Sequence, residues 1–168
     1  MKYFSANNYI WLLLGILSFG SCKNPTYQLF YAEKGNMYFV TPLKFKGQDH
    51  TLLADFTFRD NPSSKQGVTC NVSLFRHDPV KISSIQMVNT TDSFELVNLE
   101  RIFIEKTGKH FEIRYGGNLP LKVFHSFIQS GNFSIRVNKD ETFQPMGKTS
   151  KKMVEVRDDV LQVIFLDH

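Results

Sequence analysis

Two cysteines, Cys22 and Cys70, are all the sulfhydryl chemistry this chain of 168 residues has. They allow one bridge at most, so the fold has to rest on a hydrophobic core. The charge is not of one sign either: 20 basic against 16 acidic side chains give +4. Stretches such as "NKDETF" and "KKMVEVRDD" interleave the two signs as a solvated surface does. A nucleic-acid partner, which needs a clustered basic face, is therefore not expected. The longest apolar segment, Tyr9 to Phe19, falls short of the roughly 18 residues of a membrane-spanning helix. A phosphate-cradling glycine loop, a zincin helix and a nucleophile elbow are missing as well. His50, His77, His110, His125 and His168 show no zinc-ligand spacing. No metal, cofactor or catalytic residue is expected.

What is there begins at the start, "MKYFSANNYIWLLLGILSFGSC". Lys2 precedes a short apolar core, and Gly20 and Ser21 put small side chains before Cys22. This is the pattern of a secretory signal peptide over residues 1–21. An uncleaved anchor or a buried first helix is the competing reading.

The "FGSC" of residues 19–22 resembles the lipobox of bacterial lipoproteins. By that resemblance Phe19, Gly20 and Ser21 fill the positions before the cut, although Phe19 stands where leucine is usual. Cleavage would fall between Ser21 and Cys22. Cys22 would become the lipidated first residue, with a diacylglycerol on sulfur and a further palmitate-type chain on nitrogen. Several chains make a lasting anchor where one is marginal. A secreted protein whose Cys22 pairs with Cys70 is the alternative. Family sorting rules add a location. Lys23, rather than aspartate, follows the cysteine, and no acid precedes Glu33. The resemblance thus implies an outer-membrane protein facing the periplasm, with secretion or surface exposure as alternatives.

Removing residues 1–21 leaves 147, the size of one domain with its own core. "TLLADFTFR" sets Leu52, Ala54, Phe56 and Phe58 against Asp55, Thr57 and Arg59. "VTCNVSLF" sets Val68, Cys70, Val72 and Leu74 against Thr69, Asn71 and Ser73. Such alternation predicts half-buried strands, with a hairpin loop in "DNPSSKQG". "ERIFIEK" and "KHFEIRY" predict a hairpin around Thr107-Gly108, and "VKISSIQMV", "DSFELV" and "NFSIRV" predict further strands. "MYFVTPLKF" reads as a strand that Pro42 makes an edge or breaks. Helical spacing predicts a helix in "LPLKVFHSFIQSG" and another over about 150–164, capped by Thr149 or Ser150. A terminal strand over 160–166 is the alternative there. The expected fold is mainly β: a single antiparallel β-sandwich-like or open-barrel domain over 22–168, with one or two short helices including a C-terminal one.

The remaining polar features carry little chemistry. Gly116-Gly117-Asn118 beside Arg114 reads as a tight turn in preference to an anion site. Asp140-Glu141 and Asp158-Asp159 read as solvated pairs, and Cys70 as a buried core thiol. The aromatic surplus (Tyr38, Phe75, Phe94, Phe103 and Tyr115) fills a core or, if exposed, marks a partner surface. The leading expectation is a non-catalytic envelope lipoprotein that binds or scaffolds, bound to the membrane through lipid on Cys22, with an envelope protein or glycan as partner. The alternatives are a lipid-anchored hydrolase or transferase, and an inhibitor or partner-capping module.

Overall fold

In the computed structural model, residues 25–31, 35–60 and 67–161 are described. Residues 1–24, 32–34, 61–66 and 162–168, with Ser21, Cys22, Ile164, Asp167 and His168 among them, lie outside the described residues. In chain order the strands are β1 (Tyr27–Phe30), β2 (Met37–Lys46), β3 (Thr51–Arg59), β4 (Val68–Arg76), β5 (Ile85–Val88), β6 (Ser93–Glu95), β7 (Val97–Thr107) and β8 (His110–Leu119). Helix α1 (Leu121–Gln129), β9 (Ser134–Val137), β10 (Glu141–Pro145), helix α2 (Gly147–Val156) and a π-helical turn (Arg157–Leu161) complete the chain.

The expected alternation holds where it was clearest. Leu52, Ala54, Phe56 and Phe58 of β3 are all buried, as are Val68, Cys70, Val72 and Leu74 of β4. All pairings are antiparallel, in the order β6-β5-β9-β10-β2-β3-β4-β8-β7, with β1 also on β2. The two ends of that path are one piece of chain, because only Leu96 separates β6 from β7. The sheet therefore comes back on itself as a nearly closed barrel or sandwich.

Leu96 forms the corner. Its N–H donates to the Ile85 carbonyl at 2.9 Å, and its side chain is buried. A Cβ on Gly117 would lie 2.9 Å from the Leu96 Cβ, inside van der Waals contact. Gly116-Gly117-Asn118 is accordingly no turn, contrary to the sequence expectation. It is the interior of β8, and glycine is needed there because the corner packs on top of it.

Helix α1 packs against the inward side of β3. Pro120 sits at its N-cap with φ −62°, as proline's fixed φ favours near a helix start. Phe124, Phe127 and Ile128 then share one buried stripe. The Phe124 ring lies 4.9 Å from Phe56 and 5.4 Å from Phe58, and Phe133 lies 5.6 Å from Phe45.

Pro42 neither breaks β2 nor makes it a plain edge strand. The β2–β3 register shifts between Val40 and Leu43, so the proline falls at a bulge. On its other side β2 pairs with β1 as far as Val40 and with β10 from Phe45. Thr149 fills the gap: its hydroxyl donates to the Lys44 carbonyl (2.6 Å) and accepts from the Lys44 N–H (3.1 Å). The expected cap thus serves a neighbouring strand. Helix α2 starts at Gly147 with Met146 at its N-cap and no side-chain cap, and it gives way to the π-helical turn at Arg157. Residues 160 and 161 belong to that turn, not to a strand. In "VKISSIQMV" only 85–88 are strand. Asn138 holds the preceding segment, accepting from Ser83 N–H (2.8 Å) and donating to the Lys81 carbonyl (3.0 Å).

Gly117→Ala is expected to lower unfolding stability by about 1–3 kcal/mol through overpacking at the corner. Urea titration measures this. Adding Leu96→Gly, which removes the Cβ that the new methyl meets, should make the pair less than additive, and strict additivity would remove the corner from the account.

Candidate functional site

On β3, β4 and β8 the residues between the core positions form a mostly polar outer face, with Leu53 and Phe75 among its apolar members. At its lower end an open cleft of about 690 Å³ is lined by Thr57 and Arg59 of β3, Thr69 of β4, Asn98 of β7 and Asn118 of β8, with Met37 and Val97 among the apolar members. Thr69 and Asn118 are register partners, and the threonine hydroxyl donates to Asn118 Oδ1 at 3.2 Å. Arg59 donates to the Gly35 carbonyl at 3.2 Å. Asn98 adopts φ 52°, a left-handed conformation that asparagine tolerates better than most residues, where the β7–β8 register shifts.

The next rows along that face are closed by a buried charge pair. Asp55, only 2 % exposed, receives Arg114 Nη2 on Oδ2 at 2.6 Å and Asn71 Nδ2 on Oδ1 at 2.8 Å. Arg114 Nη1 donates to Ser73 Oγ at 2.8 Å. Gly116 keeps this cluster tight, since a Cβ there would meet Asn71 Oδ1 at 3.0 Å. Arg114 is thus committed to Asp55 and Ser73 and does not line an anion loop.

The opposite end gathers histidines that looked scattered in sequence. The β2–β3 turn, the end of β4 and the β7–β8 turn bring Asp49, His50, His77 and His110 around a hollow of about 300 Å³. The His77 and His110 ring centroids are 4.4 Å apart. Arg76 holds Glu141 through two contacts of 2.9 and 3.0 Å, and His50 Nε2 lies 3.8 Å from the same carboxylate. Among the described residues, no three His, Cys, Asp or Glu side chains are grouped to hold a metal ion.

The other sequence candidates are quickly placed. Glu141 is ion-paired to Arg76 rather than simply solvated, and Asp158 is bonded to half-buried Arg157, whose hydrogen bond holds its carboxyl below the usual range. Cys70 is buried, and burial, with Asp55 nearby, pushes its thiol far up. Tyr115 is in the core and Phe75, Phe94 and Phe103 are half-buried. Tyr38 stacks on Phe58 with centroids 5.4 Å apart. The exposed large apolar side chains among the described residues are Phe30, Tyr31, Val97, Ile102 and Met146 instead.

Sequence reasoning put Thr57, Arg59 and Thr69 on the polar side of their strands but did not see them converge. Asn118 was hidden in the supposed turn, and Asn98 drew no notice, although asparagine at a strand start is a signal for left-handed backbone. Compared with known protein families, curated proteins and solved structures, the chain matches none of them.

Arg114→Met is expected to cost about 3 kcal/mol, because it strands the Asp55 carboxylate in the fold. Adding Asp55→Leu should recover part of that loss in chemical denaturation; a double variant no better than the single would contradict the pairing. Cys70 should resist iodoacetamide in the native protein and react once it is unfolded. Fast native labelling would show an accessible thiol.

Proposed function

We propose that this chain is a lipid-anchored envelope protein whose β-domain binds a hydroxyl-rich ligand, an envelope glycan, without transforming it. The carrying observation is the cleft of about 690 Å³ lined by Thr57, Arg59, Thr69, Asn98 and Asn118. Two hydroxyls, two amides and one guanidinium offer donors and acceptors in both senses, which is what sugar hydroxyls require. Strands carry all five side chains, so little ordering entropy is spent on binding. The buried carboxylate near the cleft, Asp55, is occupied by Arg114 and Asn71, which supports holding over acid–base chemistry. The anchor part of the reading rests on Phe19, Gly20, Ser21 and Cys22, the lipobox-like stretch, and gives the periplasmic face of the outer membrane as its location.

On an array of bacterial envelope oligosaccharides the purified protein should retain defined glycans. Thr69→Trp, which fills the cleft from an exposed position, should weaken retention at least about tenfold while circular dichroism stays unchanged. Unaltered retention in that variant, or none in the parent, would remove the cleft from the function. Separately, Cys22→Ser should abolish labelling by a fatty-acid probe, and persistent labelling would sink the anchor.

A further inference from the structure

The chain enters the described fold at Pro25, three residues past Cys22, hence within about 10 Å of the anchoring residue. That entry is clamped by helix α2. Thr41 Oγ1 donates to the carbonyls of Pro25 (3.2 Å) and Thr26 (2.8 Å). Lys152 Nζ reaches Thr41 Oγ1 at 3.5 Å, and the Thr26 hydroxyl donates to Glu155. The other end of the helix is fixed to β2, because Lys44 bonds Thr149 through both backbone groups and its carbonyl also accepts from the Met146 N–H at 3.3 Å.

The helix that holds the entry, and the strand it is fixed to, carry a cluster of positive charge. Lys148 and Lys151 of α2 and Lys44 and Lys46 of β2 are exposed, and Lys152 is half-buried. The same region holds three acids, of which only Asp158 has its charge offset by a neighbouring cation. Glu155 receives the Thr26 hydroxyl, Asp158 is held by Arg157 at 2.6 Å, and Asp159 remains. Met146, an apolar side chain at the N-cap, is 39 % exposed beside them. Clustered lysines at a membrane-proximal position are attracted to anionic lipid by roughly fivefold in affinity per charge.

We infer that α2, with Lys44 and Lys46 of β2, is a docking face for anionic phospholipid headgroups. It lays the domain against the bilayer beside its own anchor. The inference rests on the Cys22 anchor proposed above. Lipid chains alone would leave the domain free to tumble; charge on one face fixes which side meets the membrane.

The test uses the mature protein extracted from bacterial membranes and reconstituted into phosphatidylcholine vesicles with or without phosphatidylglycerol. A water-soluble amine-acylating reagent, read by mass spectrometry, reports each lysine. Lys148 and Lys151 should react at least about fivefold more slowly when phosphatidylglycerol is present, and high salt should abolish the difference. Exposed Lys81 and Lys122 serve as internal controls and should not change. In K148E/K151E, protection at Lys44 and Lys46 should disappear. Equal reactivity in both vesicles, on protein whose Cys22 peptide carries lipid, overturns the docking face and leaves the anchor standing. Protection that appears equally without phosphatidylglycerol also overturns it, in favour of a protein contact. A Cys22 peptide bearing no lipid overturns the anchor and this inference together.

Discussion

Closure of the sheet depends on the contact of Leu96 with Gly117. A sheet of this size either leaves two edges open or turns a strand through a corner, and β6 and β7 take the second course across one residue. The corner brings side chain and backbone closer than a Cβ on β8 allows. The polar cleft follows from the same event. Asn98 is placed by the irregular start of β7, immediately after the corner, and Asn118 immediately after the glycine that admits Leu96.

Strand β2 faces a similar constraint at its edge. Its backbone groups need partners along ten residues, but Pro42 and the bulge prevent one continuous neighbour. Three elements share the work: β1 before the bulge, β10 after it, and Thr149 of α2 between them. A buried backbone group without a partner costs about as much as a lost hydrogen bond or more. The helix is therefore fixed in position by a strand's hydrogen-bonding needs as well as by Met153 and Val156 in the core. That is why the start of α2 precedes the position its capping residues suggested.

The architecture was legible in the sequence wherever one face of a strand is apolar throughout. β3 and β4 were read with their inward residues, and the β7–β8 hairpin and α1 were read as elements. Illegible were elements whose form is set by distant partners. β1 and β10 are short and borrow their pairing from β2 and β9. The segment 80–84 looks like a strand by composition, but Asn138 holds it apart. The glycines of β8 resemble a turn until Leu96, some twenty positions earlier, is known to lie on them. The site suffered in the same way, since Thr57, Thr69 and Asn118 come from three strands and meet only through register.

The polar face shows what distinguishes a site from a merely hydrophilic surface. Two of its rows end on groups that satisfy one another: Asp55 with Arg114 and Asn71, and Arg114 with Ser73. Removing these charges from water is costly, and such a pair is weak as a source of net stability. What it gives is a fixed spacing between β3, β4 and β8. The next row, Thr57, Thr69 and Asn118, sits on that spacing at the cleft, where the hydroxyls and amides line a hollow. Only Thr69 and Asn118 share a hydrogen bond there, at 3.2 Å. Capacity to bond is therefore left over in the row next to the one where it is spent. On the binding reading proposed above, a ligand with hydroxyls would gain from such a row, because the groups it would meet are already held at strand spacing.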